Sequence, residues 1–423
     1  MKVLWIIGTD ITTDSFVEAG VKPSNSGGWN NTQLRRLYEA DEVNCLTIIS
    51  VRPKVYENTI EARGKLRVYH LSFPPVTAII NNRLINELYS IIVKEEPDIV
   101  DIQGTETTYS AITYLKSIPC PIIVTIHGVA FQCERFYTRG VPASTLLTNR
   151  SLADYLTLRG IYEKRLLMKR RASIEKKIIK SVNNVRGRTE WDRACILSIN
   201  PSINYYKEEL ILRGEFGNYN WNIDTCEDHR IFATQANSPL KSIYTILETI
   251  KILKRKYQDI KLIIPGHPIK KGIKRNGYEK TIIKRIKRFD LTDNVFFTGN
   301  LDAAGMVKEL LKARVFLLQS EIENSPNSLA EAQCVGVPCV ASYTGGTPEY
   351  IENGKTGLLY NSFDPVMAAM QIEKLFDNDE LCSKMSNEER IVARKRHNGS
   401  DITRGLICIY QDVISKSSIS IRN

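Results

Sequence analysis

Apolar residues along this chain keep two rhythms. Short uninterrupted bursts occupy 2–7, 46–51, 66–71, 99–102 and 121–126. Runs that are apolar at nearly every position mark strands buried on both faces of a parallel sheet. Between the bursts, at 29–38, 83–94, in the stretch reaching 115 after the turn at 104–106, and at 155–180, apolar positions recur every three or four residues. That is the helical period. The alternation restarts further on, with strands at 231–234, 261–264, 294–297, 315–318 and 339–341. The intervening helices fall at 242–257, 280–289, 306–313 and 327–335, followed by helices at 365–375, 380–395 and 402–415. Strands that alternate with helices predict βαβ units and a parallel sheet. The pattern occurs twice, so the expected architecture is α/β, two doubly wound Rossmann-like domains in series facing a central cleft. Ligands of such folds bind beyond the carboxyl ends of the strands.

Length supports the division, because 423 residues exceed what one core usually organises. The expected boundaries are 1–195 for the first domain, 196–398 for the second, and 399–423 for a final helix returning to the first. Basic residues number 58 and acidic residues 47, a net charge of +11, which points to an anionic partner. Nine cysteines without C-x-x-C pairs read as reduced thiols and offer no zinc site. The opening apolar run is too short for a secretion signal, and no run of about 18 uncharged apolar residues occurs. A cytoplasmic protein is expected, with peripheral contact at the inner membrane face allowed.

The stretch from Ser320 to Ala341 carries the most chemistry. Glu323 lies in the loop after a strand and Glu331 in the helix that follows, eight positions on. Asn327 or Ser328 is expected to cap that helix. Backbone N–H groups of Ser328 and Leu329 would then face the same space as the carboxylates. Helix N-terminal N–H groups favour a phosphate or a developing anion. Pro326 stiffens the loop, and Gly336-Val337-Pro338 stops the helix.

The spacing Glu-x7-Glu within S-x-x-E-x-x-x-x-x-L-x-E-A, with G-x-P-x-V following, resembles the retaining glycosyltransferases of family 4. Further stretches are similar to that family in order along residues 1–365. They are Pro97-Asp98-Ile99-Val100 with Gly104-Thr105-Glu106, Thr125-Ile126-His127-Gly128, Gly187-Arg188-Thr189-Glu190-Trp191-Asp192-Arg193, and Gly345-Gly346 with Glu349. The resemblance implies the GT-B fold, a nucleotide-diphosphate sugar as co-substrate, no cofactor and no metal. It implies catalytic roles for Glu323 at the donor sugar, His127 beside the transferred sugar and Lys241 on the diphosphate. Glu331 would hold the ribose hydroxyls, with Gly27, Gly28, Ser325, Asn327, Ser328 and Leu329 also on the donor side. Glu106 would stand on the acceptor side. The acceptor would be a saccharide or a lipid-linked molecule, as in polysaccharide biosynthesis. In the family view the acceptor hydroxyl attacks from the face the phosphate leaves, so the two glutamates are not an acid/base pair.

Two positions depart from the family. Ala236 stands where an arginine is expected and Ser242 where a glycine is expected. Stabilisation of the leaving diphosphate would then lean on Lys241, backbone N–H groups and Arg188. Two other readings remain open: a sugar-nucleotide epimerase of the same fold, and a non-catalytic sugar- or membrane-binding scaffold. Asp192 and Arg193 read as an interdomain salt bridge. The basic stretch from Lys164 to Lys180 suits either an amphipathic helix on anionic lipid or a solvated helix with its apolar face in the core. Nucleic acid is the weaker reading of the charge, because neither basic group carries stacking aromatics.

Overall fold

The computed structural model describes residues 1–9, 11, 28–52, 58–72, 79–139, 141, 151, 154, 160–213, 215–235, 238–266 and 276–420. The chain divides into two compact units. The first comprises Met1–Phe131, Leu167–Arg213 and His397–Asn423, and the second Gln132–Leu166 and Gly214–Arg396.

The first unit is built on eight strands in the order β3-β4-β2-β1-β5-β6-β7-β8. These are β1 (Lys2–Ile7), β2 (Cys45–Arg52), β3 (Thr59–Arg63), β4 (Leu66–Ser72), β5 (Ile99–Gln103), β6 (Ile122–Thr125), β7 (Asn184–Gly187) and β8 (Asn204–Lys207). All pairs are parallel except β3 with β4. Side chains of β1 alternate between two apolar layers, as a strand's period of two requires. Leu4 and Ile6 join the layer holding Leu88, Ile92 and Ile178. Val3, Trp5 and Ile7 join the layer holding Leu34, Leu406 and Val413. The last helix, Gly399–Ser420, therefore packs on the first unit. It is tied there by polar contacts. Trp5 Nε1 donates to Tyr410 OH at 2.8 Å, and Tyr410 OH donates to Asp101 Oδ2 at 2.6 Å. Arg186 holds Asp101 at 3.0 Å and Glu208 at 2.9 Å, so the buried charges are paired.

The join expected at 195 falls inside this unit. β8 pairs with β7 beyond it, in register Val185 with Tyr205. Its sequence, Asn-Tyr-Tyr-Lys, is half exposed and carries no apolar burst. Gln132–Leu166 groups with the second unit instead, where Asp154 Oδ2 accepts from Gly277 N at 2.8 Å. The helix expected over 155–180 runs as Ile161–Ser181; residues 155–159 lie outside the described residues. It buries Ala172, Glu175, Ile178 and Ile179, so its second half faces the core.

The second unit carries six parallel strands in the order β11-β10-β9-β12-β13-β14. They are β9 (Arg230–Ala233), β10 (Lys261–Pro265), β11 (Val295–Gly299), β12 (Val315–Leu318), β13 (Cys339–Tyr343) and β14 (Leu358–Asn361). Strand order reverses direction between β9 and β12, the switch point at which doubly wound sheets open a crevice for ligands. β12 is buried throughout and is framed by β9 and β13.

Candidate functional site

Three segments leave the sheet of the second unit at this switch point and from the strand beside it. After β9, Ser238 accepts a bond from Leu240 N and starts a single turn, Pro239–Lys241. Ser242 closes the turn at φ 47° and ψ 43°, a left-handed conformation, and leads into the helix Ile243–Leu253. After β12 come Gln319, Ser320, Glu321, Ile322 and Glu323, and then the helix Asn327–Val335. After β13 comes the turn at Thr344, Gly345 and Gly346.

The structure brings Lys241 and Glu323 together. Lys241 Nζ forms an ion pair with Glu323 Oε1, with the side chains 30% and 15% exposed. The segments around them are stitched. Glu321 N donates to Leu240 O at 2.8 Å. Gln319 Nε2 donates to Lys241 O at 3.0 Å. Ser242 Oγ donates to Glu321 Oε1. Thr344 Oγ1 reaches Glu321 O at 2.7 Å, and Gly346 N reaches Glu323 O at 3.0 Å. Burial pushes the Glu321 carboxyl up to about 7, against the opposing pull of Ser242, Arg139 and Ser362. Gly345, at φ +51°, passes so close that a Cβ there would lie 1.9 Å from Glu323 O. Only glycine allows this turn to hold the Glu323 backbone.

Glu331 sits on the helix Asn327–Val335 and is only 6% exposed. The cap of this helix is Pro326, without a side-chain hydrogen bond, and not Asn327 or Ser328. Those two are the first helical residues, and N–H groups at such positions have no acceptor in their own helix. Leu329 departs from its expected role as a donor, because its N–H already bonds Pro326 O at 3.0 Å. Ser325 stands half-buried in the loop before the helix. Gly336 takes a left-handed conformation and ends the helix, as its position suggests.

The remaining predicted residues lie in the first unit. His127 follows β6, and Arg188 Nη2 approaches its Nδ1 at 2.9 Å. A guanidinium can only donate, so Nδ1 accepts and the ring proton resides on Nε2. Burial, then the charges of Arg188 and Arg186, hold the imidazole well below its ordinary range, so it is neutral at pH 7. Glu106 follows β5, and burial raises its carboxyl. Beside it, Thr105 Oγ1 donates to Glu175 Oε1 at 2.7 Å, and Phe131 N donates to Glu175 Oε2 at 2.8 Å. Glu175 escaped the sequence reading because a lone glutamate on a basic helix has no signature. Gly28 opens the helix Gly28–Glu39, while Gly27, Ala236 and Asn237 lie outside the described residues.

The stretch 187–193 proves to be a local scaffold. Thr189 and Asp192 form a reciprocal capping box at the head of the helix Glu190–Leu197. Asp192 also bonds Arg188 N at 2.9 Å, and Arg193 pairs with Glu190 at 3.0 Å. These contacts of Asp192 and Arg193 lie within the first unit. A Cβ on Gly187 would lie 2.4 Å from Asp192 Oδ1 and from Tyr205 OH, so the glycine is a packing requirement. The outcome of this scaffold is the placement of Arg188 against His127.

All nine cysteines are unpaired. Among the described residues no group of three or more His, Cys, Asp or Glu is placed to hold a metal ion. No helix among them is long and apolar enough to cross a membrane.

Residues 227–392, the part that holds Lys241, Glu323 and Glu331, match the family model described as "Glycosyl transferases group 1". N-acetyl-alpha-D-glucosaminyl L-malate synthase of Bacillus anthracis is 30% identical over 200 residues, covering 44% of this chain and 52% of the relative. The chain spans about half the length of the first curated relatives it matches. Among solved structures, sucrose-phosphate synthase from Thermosynechococcus elongatus superposes with a TM-score of 0.71 at 15% identity, covering 98% of this chain and 100% of that one. Anabaena Alr3699/HepE in complex with UDP-glucose gives 0.63 at 12% identity, with 99% of each chain covered. The chain thus has the two-domain α/β fold of GT-B glycosyltransferases, and its second unit carries the segment that matches glycosyl transferases group 1.

Proposed function

We propose that this chain is a retaining, metal-independent glycosyltransferase. It would move a sugar from a nucleotide-sugar donor to a saccharide or lipid-linked acceptor. The observation that carries the reading is the Lys241–Glu323 pair at the β9/β12 switch point, followed by the buried Glu331 on the next helix. The matched family and the UDP-glucose complex of Alr3699/HepE support the class of donor.

Breaking the bond between a sugar and a nucleoside diphosphate builds negative charge on the departing phosphate and positive charge on the sugar. Lys241 supplies a cation for that phosphate, and the N–H groups at the head of the helix Asn327–Val335 add oriented dipoles. Without donor, Lys241 is held by Glu323. An arriving diphosphate offers the lysine a stronger anion and releases Glu323 to accept hydroxyl protons of the sugar. Glu331 would accept both ribose hydroxyls, as one carboxylate can. His127, neutral and donating through Nε2, suits a sugar hydroxyl rather than a phosphate. The acceptor hydroxyl would attack on the face that the diphosphate leaves and pass its proton to the departing phosphate oxygen. A cytoplasmic location is part of the reading. So is peripheral contact with anionic lipid, for which Tyr162 and Leu166 are exposed among Lys164, Arg165 and Lys169.

Incubation with UDP-, GDP- and ADP-sugars in the presence of EDTA tests it. Release of free nucleoside diphosphate from at least one donor, with the anomeric configuration kept in the product, is the expected result. Release that needs an added divalent metal would remove metal independence, and an inverted product would remove retention. No release from any donor, with or without acceptor saccharides, would remove the reading as a whole.

A further inference from the structure

We propose that Ser242 and Glu321 are positioning residues for Lys241, fixing the turn that presents this lysine to the donor diphosphate. The inference rests on the functional reading above and assigns work to two residues outside the predicted site. Two segments run side by side at the switch point, and consecutive groups along them are joined. Glu321 N bonds Leu240 O at 2.8 Å, Gln319 Nε2 bonds Lys241 O at 3.0 Å, and the Glu321 carboxylate takes the Ser242 hydroxyl. Lys241 is therefore held from its own carbonyl and from the residues on either side, leaving its side chain to meet Glu323.

Ser242 is a costly choice for this turn. It adopts φ 47°, where a residue with a Cβ persists only if its surroundings hold it. Its side chain supplies that hold. Ser242 has one hydroxyl proton, and with it given to Glu321 the Thr245 hydroxyl at 2.9 Å donates to Ser242 Oγ in turn. Both Ser242 and Glu321 are buried, so removing the hydroxyl leaves Glu321 Oε1 without its donor, away from solvent. That oxygen must then find another cation or proton, and the turn carrying Lys241 loses its anchor.

The test is calorimetric titration with UDP, GDP and ADP of the whole chain and of Ser242→Ala, Ser242→Gly and Lys241→Ala, with the double variant Ser242→Ala/Lys241→Ala. Ser242→Ala is expected to weaken binding of the preferred diphosphate about tenfold, and to add no further loss once Lys241 is already alanine. Ser242→Gly tolerates the left-handed turn and keeps folding from confounding the result; it is expected to weaken binding as well, because the hydroxyl is gone. Glu321→Gln, which keeps an acceptor for the Ser242 proton, should lose less affinity than Glu321→Ala. Wild-type affinity in both Ser242 variants overturns the inference and leaves the functional reading standing. So does a Ser242→Ala loss that persists undiminished in the Lys241→Ala background, because the serine would then act without the lysine. A wild-type chain that binds none of the three diphosphates overturns the functional reading and this inference together.

Discussion

Lys241 places a cation at the switch point of the second unit, and its removal should be felt in the chemical step. Lys241→Ala is expected to lower kcat/KM for the donor about 100-fold, in the range found for losing one stabilising group at a developing charge. Steady-state kinetics on the preferred nucleotide sugar would check it. Gly345 should matter without touching any ligand. Gly345→Ala sets a Cβ 1.9 Å from Glu323 O in a backbone conformation at φ +51°. The expected cost is about 3 kcal/mol or more. For a unit of this size that is a fall in Tm on the order of 6–12 °C. Glu321 gives a pH prediction. Its carboxyl is raised from 4.5 to about 7, chiefly by burial, so the folded chain keeps a proton that the unfolded chain has released. The stability it contributes is present below the unfolded value and is lost as pH rises through the folded value. Glu321→Gln should therefore gain up to about 3 kcal/mol relative to wild type on going from about pH 4 to about pH 8. Denaturant titrations of both proteins at the two pH values would show this difference, or its absence.

The elements of the fold differ in how plainly they are written. Strands buried on both faces announce themselves as apolar bursts: 2–7, 46–51 and 315–318 coincide with β1, β2 and β12 within a residue or so. β3 is missed because it lies at the sheet edge, almost wholly exposed, and reads Thr-Ile-Glu-Ala-Arg. β8 is missed for the same physical reason, and with it the reach of the first unit to Arg213. Helix ends followed their punctuation where backbone chemistry decided them, as at Gly336. They departed from it at Pro326, where the proline takes the cap position and the polar residues after it enter the helix. The final helix is fastened through Tyr410, whose hydroxyl both accepts from Trp5 and donates to Asp101. Tyr410→Phe removes both bonds and leaves two buried polar groups short of a partner. An expected loss of about 1–3 kcal/mol would appear in the melting of the purified chain.

Across the whole molecule, the two sheets share one plan, and each places its predicted residues just past strand ends. Glu106 and His127 follow β5 and β6 in the first unit; Lys241 and Glu323 follow β9 and β12 in the second. Those residues were legible because motif spacing and strand ends are linear features of a sequence. Their partners were not. The contacts of Glu323 with Lys241, of Glu321 with Ser242 and of Arg188 with His127 join residues 82, 79 and 61 positions apart. Such contacts exist only once the sheets have set their register. The net charge of +11 is likewise spread over both units, and part of it is spent locally, as where Arg285 pairs with Glu248. In the proposed function the second unit grips a nucleoside diphosphate without a metal, through Lys241 and Glu331. Titration calorimetry in EDTA with UDP, GDP and ADP, on the wild type and on Lys241→Ala and Glu331→Ala, addresses it most directly. Saturable binding of at least one diphosphate to the wild type, and a marked weakening of it in each variant, is the expected result. Binding that appears only when a divalent metal is added, or that survives both substitutions unchanged, would contradict it.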